Sequence, residues 1–174
     1  MSNNSQSLGC IGLFLFGFMF TGAGVMCLMI FAKLNTLDCQ RVEVNIVQGD
    51  CKLTSTGIFS SDEQTIPIAS LNNAIIEESH DDEGDTTYRV VLLTKTGSIP
   101  FTTVYSSGRA EKQEKVRQIN SFIENTSQTT LNLKQDDRLI GYIFGGVFGG
   151  IGVLTLFHSV IIAPLKMLLR KRIR

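Results

Sequence analysis

The chain has 174 residues, and its 16 basic and 16 acidic side chains give a formal net charge of zero. The balance hides an uneven distribution. Residues 33–138 carry 11 basic and all 16 acidic side chains, whereas residues 166–174 carry five basic side chains and no acidic one. Binding to nucleic acid needs a basic footprint, so the acidic middle region excludes nucleic acid as an expected partner.

An apolar segment covers residues 8–32 and contains no Asp, Glu, Lys, Arg or His. About 20 apolar residues cross the hydrocarbon core of a bilayer, so we predict a transmembrane helix here, after a cytoplasmic N-terminus at residues 1–7. A signal peptide would begin with basic residues and have a shorter apolar run. A lipoprotein signal is disfavoured because the apolar run follows Cys10 rather than preceding it.

Two cysteines of the middle region, Cys39 and Cys51, lie 12 residues apart. Outside the cytosol such a pair is typically oxidised. Closing so short a loop would stabilise the fold by roughly 3 kcal/mol in the chain-entropy description. A redox-active pair usually has the C-x-x-C spacing, and a zinc site would need further Cys or His ligands. We therefore favour a structural disulfide.

The middle region contains a series of predicted strands. Val42, Val44 and Ile46 alternate with polar residues, which is typical of a half-buried strand, and we expect this strand over residues 39–47. Pro67 indicates an edge position for the third strand, because proline cannot donate a ladder hydrogen bond. The remaining predicted strands cover residues 51–59, 65–69, 71–79, 86–95 and 98–105.

The hydrophobic period changes after these strands, and residues 108–125 are predicted to form an amphipathic helix. Glu111 and Lys115 are expected to pair on its outer face, and the polar residues 126–138 return the chain to the membrane. About six antiparallel strands followed by one helix is the order found in pleckstrin-homology-like domains. An unrelated α+β sheet with a covering helix is the alternative. The apolar stripe of the helix consists of Val116, Ile119, Phe122 and Ile123.

A second apolar segment covers residues 139–165, and His158 is its only ionisable residue. We predict a second transmembrane helix, so that one extramembrane α+β domain lies between two spans. Small residues spaced four apart let helix backbones approach closely in lipid. The segment has two such rows, a glycine zipper that predicts packing on the first span at Gly17, Thr21 and Gly24, or on a larger complex or a second copy. The rows are Gly141, Gly145 and Gly149, and Gly146 and Gly150.

The tail after the second span is strongly basic. Short cytoplasmic segments next to spans carry an excess of Lys and Arg, so we place the tail and the N-terminus in the cytoplasm. The middle domain is then extracytoplasmic. The basic side chains are also expected to contact anionic lipid headgroups. They are Lys166, Arg170, Lys171, Arg172 and Arg174.

Few residues carry catalytic potential. The loop at residues 80–85 concentrates carboxylates that could bind Ca²⁺, but it lacks the EF-hand spacing, so we favour a solvated hairpin tip. The common nucleophile, zinc and nucleotide-binding motifs are missing from the sequence. His158 has no acidic partner in either predicted span, which argues against proton transport. We therefore expect no enzymatic activity, no metal and no cofactor.

Several residues of the middle region carry a likeness to known proteins. They are Leu37, Cys39, Arg41, Cys51, Leu53, Ile66-Pro67-Ile68, Tyr88-Arg89-Val90-Val91-Leu92-Leu93-Thr94, Gly97, Ile99-Pro100 and Ile119-Asn120. Through them the chain resembles a group of small two-span membrane proteins, chiefly cyanobacterial, that carry no assigned activity. The resemblance covers most of the middle domain and implies a plasma or thylakoid membrane, with no mechanism attached.

Three functions agree with these features. We favour a non-enzymatic accessory, assembly or interaction protein that is anchored by two spans and presents its middle domain to a partner. The first alternative binds a lipid or small ligand at the mouth of the pleckstrin-homology-like sheet, although the acidic domain disfavours anionic headgroups. The second is an oligomeric pore through the glycine-rich span, which offers few polar residues to line it.

Overall fold

The structure is a computed structural model that describes residues 3–45 and 47–162. The chain divides into two compact units. The helical unit is formed by the residues up to Ala32 and from Arg138 onward, and the domain is Lys33–Asp137. In chain order the elements are α1 (Asn3–Phe31), β1 (Leu34–Arg41), β2 (Gly49–Thr56), β3 (Ser61–Pro67), a 3-10 turn (Ile68–Ser70), β4 (Leu71–His80), β5 (Thr86–Thr94), β6 (Gly97–Pro100), α2 (Arg109–Glu124), β7 (Thr130–Asp136), α3 (Arg138–Phe157) and a π-helical turn (His158–Ile162).

Both helices of the helical unit are long and apolar enough to cross a membrane. Ile11–Phe31 has a mean hydropathy of 2.2 over 21 residues, and Arg138–Ile162 has a mean hydropathy of 1.9 over 25 residues. Only 11% and 17% of the residues in their most apolar stretches are buried, so apolar side chains cover most of the outer surface. Two such helices flanking an antiparallel β domain agree with the coarse architecture expected from the sequence.

Glycines bring α1 and α3 close together within the helical unit. A Cβ atom added at Gly24 would overlap the backbone of Gly149, and one added at Gly152 would overlap the backbone of Thr21. Gly152 lies outside the predicted rows because it follows Gly149 by three residues rather than four. The two other glycines of the first predicted row are also close to the first span, Gly145 at Leu28 of α1 and Gly141 at Ala32, which follows α1.

The second predicted row of α3 has different surroundings. Gly146 and Gly150 are exposed, and a Cβ atom at either position would meet nothing within 4 Å. Packing on α1 therefore uses the first row together with Gly152, and the second row lies on the outer surface of the helix pair.

The domain contains two antiparallel sheets. One has four strands in the order β3-β2-β1-β7, and the other has three strands in the order β4-β5-β6. β1 lies inside the first sheet, where Leu37 is opposite Leu53 of β2 and Leu133 of β7. β3 forms one edge and ends at Pro67, a position that needs no ladder hydrogen bond from proline.

α2 packs on the inner side of the sheets through one face. Val116, Ile119 and Phe122 are buried in a single hydrophobic cluster with residues of both sheets. Asn120 adds a polar link to β4, because its side chain accepts a hydrogen bond from the Ala74 N–H at 2.7 Å and donates one to the Ala74 carbonyl at 3.1 Å. The amide thus satisfies backbone groups at the open edge of the second sheet.

The domain has seven strands, whereas the sequence predicted about six. The additional strand is β7, which lies in the segment expected to be a polar return and pairs along its length with β1. Its inward residues are Leu131, Leu133 and Gln135. Because the third inward position is polar, the apolar alternation is too short to be recognised. α2 is consequently followed by a strand and is not the last element of the domain.

β1 also lies earlier in the chain than predicted. It covers Leu34–Arg41, whereas the prediction was 39–47. The predicted strand rested on alternating valines, but Val42 and Val44 lie in the loop after β1 and are exposed. The true period was hidden because two of the four inward residues are polar. These residues are Asn35, Leu37, Cys39 and Arg41.

Replacing Gly24 by leucine should separate α1 and α3, because the new side chain would occupy the space of the Gly149 backbone. Overpacking of this kind costs about 1–3 kcal/mol. The matched variant Gly150→Leu should leave the helix pair unchanged, since nothing lies within 4 Å of a Cβ atom there.

Pulsed electron paramagnetic resonance measures the separation of the two helices from nitroxide labels at the exposed positions Met19 and Leu154. The labelled protein has Cys10 and Cys27 replaced by serine. Gly24→Leu should lengthen or broaden the distance distribution, and Gly150→Leu should reproduce that of the parent protein. Equal distributions for the two leucine variants would contradict the close packing.

Candidate functional site

The first sheet has two ends that differ in their connections. At one end β1 begins at Leu34 and β7 ends at Asp136, and these residues lie opposite each other. The Asp137 N–H donates a hydrogen bond to the Lys33 carbonyl at 3.0 Å. The chain arrives from α1 and departs to α3 here, so we call this the helix-linked end. The other, where β1 passes into β2, is the far end.

The loop at the far end, residues 42–48, exposes apolar side chains and is called the far loop. Val42, Val44 and Val47 are 72%, 53% and 49% exposed, and Ile46 lies outside the described residues. Apolar side chains that are exposed together are typical of contact surfaces, whereas single exposed ones are common everywhere. The sequence does not reveal this exposed surface, because the alternation of valines with polar residues in the far loop is also the pattern of a half-buried strand.

Backbone hydrogen bonds hold the far loop in place. The Val42 N–H donates to the Gln48 carbonyl at 3.0 Å, which closes the loop on itself. The Asn45 N–H donates to the Thr126 carbonyl at 3.0 Å, which ties its tip to the connection between α2 and β7. Asn45 has a φ of 64°, a left-handed conformation that asparagine tolerates better than most residues. The three valines are therefore presented by an ordered loop.

Arg41 anchors the base of the far loop. It is 3% exposed, and its guanidinium donates to the carbonyls of Phe122 at 2.6 Å and Gln128 at 3.1 Å. The same group lies 4.5 Å from the centre of the Phe122 ring, within cation–π range. Since Phe122 ends the buried face of α2, this side chain joins the far end of β1 to the helix.

The disulfide lies directly behind the far loop. Cys39 and Cys51 occupy opposite positions on β1 and β2 at disulfide distance, which agrees with the predicted disulfide. Both residues are buried in the core. The bond closes the segment that contains the far loop and limits how far its two strands can separate.

An open depression continues from the far loop across the outer face of β1, β2 and β7. Its outward side chains include Asp38, Gln40, Lys52 and Asn132, of which Asp38 accepts a hydrogen bond from Asn132. Small-molecule sites are usually enclosed and mainly apolar. This surface is open and carries charges of both signs, which suits the polar rim of a protein contact better than a ligand pocket.

Polar side chains gather near the helix-linked end of the domain, where Lys112 and Gln135 are buried and Asp137 is half-buried. Lys112 donates to the Ser107 carbonyl at 2.6 Å, and burial lowers the pKa of its ammonium group. Burial raises the pKa of Asp137, although a Gln135 side-chain hydrogen bond at 3.1 Å and the positive charge of Lys112 partly oppose the effect. Lys115 pairs with Glu111 as predicted by spacing, but it is buried, so the expected outer-face position was wrong.

The acidic loop at residues 80–85 is held by hydrogen bonds to the Asp81 carboxylate. Asp81 accepts hydrogen bonds from the backbone N–H groups of Glu83 at 3.1 Å and Asp85 at 2.8 Å. His80 contacts the Thr86 hydroxyl at 3.0 Å. Within residues 3–45 and 47–162, three or more His, Cys, Asp or Glu side chains do not gather in a group that could hold a metal ion.

The remaining predicted sites belong to the helical unit. His158 is exposed at the start of the π-helical turn, and neither apolar helix contains a carboxylate that could share a proton with it. The basic tail lies outside the described residues. That tail carries Lys166, Arg170, Lys171, Arg172 and Arg174.

No protein-family model matches this chain, and no curated protein or solved structure matches it. The functional interpretation therefore depends on the chain's own residues.

Replacing Arg41 by lysine should destabilise the domain by about 2–3 kcal/mol, because an ammonium group cannot reproduce the planar, forked hydrogen bonds of a buried guanidinium. Urea unfolding of the detergent-solubilised protein, followed by tyrosine fluorescence, measures this change. The control is Lys52→Gln. Lys52 pairs with Glu63 on the surface, where an ion pair contributes about 1 kcal/mol or less. Equal effects of the two substitutions would contradict the anchoring role of Arg41.

Asp137→Asn should raise the stability of the domain at pH 7, because burial disfavours the charged carboxylate. A raised folded-state pKa means that the native protein loses stability as pH rises through the titration of Asp137. The advantage of asparagine should therefore vanish at a pH below 3.8, the usual pKa of the carboxyl group, where the aspartate is protonated. Urea unfolding at both pH values tests this, with the exposed Asp62→Asn as control. A destabilised Asp137→Asn protein at pH 7 would refute the assignment.

Proposed function

We propose that this protein is a membrane-anchored, non-enzymatic accessory protein that presents its β-rich domain to a partner protein on the extracytoplasmic side. The far loop carries this proposal. It exposes three valines at the end of the sheet opposite to the connections with α1 and α3. An apolar, ordered loop at that position supports a contact with another protein.

The order of the far loop supports a binding role further. A loop that is already fixed loses little conformational entropy when a partner binds it. Three features fix this loop, namely its own backbone bonds, the Arg41 side chain and the Cys39–Cys51 disulfide. Polar side chains of the open depression beside it then supply hydrogen-bonding groups around the apolar centre of the proposed contact.

The proposed location follows from the two apolar helices and the disulfide. Both helices are proposed to span a plasma or thylakoid membrane, with the N-terminus and the basic tail in the cytoplasm. Disulfides persist in oxidising compartments, so the Cys39–Cys51 bond supports an extracytoplasmic domain. Tail residues 166–174 would contribute to orientation through their positive charge.

We also propose that the domain is related to pleckstrin-homology-like folds and the chain to small cyanobacterial two-span membrane proteins. Two antiparallel sheets and a packed helix support a pleckstrin-homology-like relation, whereas a strand after the helix departs from the expected order. The likeness to small cyanobacterial two-span proteins also agrees with two apolar helices flanking a domain. Neither relation contributes a ligand or an activity.

Self-association through α3 is the alternative that a specific observation favours. Gly146 and Gly150 form an exposed small-residue row, and such rows allow close helix packing in lipid. A second copy would be the partner in this case, either as a simple oligomer or as a pore. Lipid or small-ligand binding by the domain has less support, because the depression beside the far loop is open rather than enclosed.

A photocrosslinking amino acid at Val44 tests the accessory function in cells that make the protein naturally. After illumination, mild-detergent isolation and mass spectrometry identify the crosslinked chains. We expect a reproducible adduct with another membrane protein. The matched control carries the same amino acid at Ile75, an exposed position on the second sheet, and should not give that adduct.

The variant Val42→Asp should abolish the Val44 adduct without unfolding the domain, because residue 42 is largely exposed. Adducts that contain only this protein would overturn the accessory function and favour self-association. An identical adduct from Val44 and Ile75 would show that the far loop has no special role.

A further inference from the structure

We propose that the turn between β2 and β3 inserts into the interface of the membrane that holds α1 and α3. The turn comprises residues 57–60 and is called the membrane turn. This inference rests on the proposed membrane anchoring and adds a third point of attachment, within the domain itself. The lipid bilayer is the proposed binding partner of this turn. The exposure of its side chains, the lack of charge in residues 53–61 and the short connection to α1 support this partner.

The membrane turn exposes two large apolar side chains. Ile58 is 43% exposed and Phe59 is 66% exposed. The Gly57 N–H donates to the Ser60 carbonyl at 2.8 Å, which closes the turn. Aromatic and aliphatic side chains at the membrane interface bury apolar area among lipid headgroups and acyl chains.

The turn and the residues next to it in sequence carry no charge, and the nearest charged residues along the chain are Lys52 and Asp62. Residues 53–61 contain only apolar, glycine, serine and threonine residues. Charged side chains are the costly ones to move into a bilayer, so this segment can approach lipid without that cost. The far loop differs, because Glu43 lies between its exposed valines. Charge therefore distinguishes the surface proposed for lipid from the surface proposed for protein.

Chain connectivity limits how far the turn can lie from the end of α1. β1 begins at Leu34, three residues after Phe31 ends α1. An extended chain spans at most about 3.6 Å per residue, so Leu34 lies within about 11 Å of that helix end. Thr56, which immediately precedes the turn, pairs with Leu34 across the sheet. The Lys33 side chain also lies 3.9 Å from the position of a Cβ atom on Gly57.

Insertion of the turn would fix the orientation of the domain. The domain is joined to the helical unit by two connections at the helix-linked end, one from α1 and one to α3, and insertion of the turn would add a third attachment. The far loop at the opposite end of the sheet would then be held away from the lipid surface and toward its proposed protein partner.

A fluorescent probe tests the insertion in the full-length protein, reconstituted in vesicles of phosphatidylcholine and phosphatidylglycerol. An environment-sensitive nitrobenzoxadiazole is attached at Ser60→Cys, next to the intact Ile58 and Phe59, with Cys10 and Cys27 replaced by serine. We expect a blue shift of its emission and quenching by lipids brominated near the headgroup. The paired substitution Ile58→Ser and Phe59→Ser should abolish both effects.

Two reference positions separate this inference from the proposed anchoring. A probe at Val147→Cys, on the exposed face of α3, should be quenched by brominated acyl chains, and a probe at Val44→Cys should not. Quenching at Val147 without quenching at Ser60 would overturn the membrane turn and leave the anchoring intact. Lack of quenching at Val147 would overturn both proposals.

Discussion

The pairing of β7 with β1 is the constraint on which the rest of the structure depends. It sets Leu34 opposite Asp136, so the chain arrives from α1 and departs to α3 at one end of the same sheet. Both apolar helices can then lie side by side, with glycines at their contact. If β7 were unpaired, the domain would have no fixed relation between its first and last residues.

The same pairing gives the two ends of the sheet different roles. The turn between β2 and β3 lies at the helix-linked end, and the far loop lies at the other end of the sheet, beyond the length of β1. At the far end, Arg41 and the disulfide take positions that hydrophobic side chains would usually fill. The buried guanidinium of Arg41 favours one arrangement of the loop because its hydrogen bonds must be satisfied together, and the disulfide limits the separation of the two strands.

The sequence predicts some elements well and others poorly, for physical reasons. The apolar helices follow from length and composition, β5 from the apolar run at residues 90–93, and β4 from the three apolar residues 74–76. β7 and the start of β1 are hidden because Gln135, Asn35 and Arg41 occupy inward positions, where only tertiary contacts make a polar residue acceptable. The far loop is misread for the opposite reason, since its valines are apolar and exposed.

Accessibility of cysteines on either side of sealed membranes tests the central claim most directly. In a protein without Cys10 and Cys27, Val44→Cys and Arg174→Cys are treated separately with a membrane-impermeant maleimide, using vesicles whose extracytoplasmic face points outward. The account predicts that Val44→Cys is labelled at once and Arg174→Cys only after detergent is added. Labelling of Arg174→Cys before Val44→Cys, or immediate labelling of both, would contradict a two-span protein with an extracytoplasmic domain.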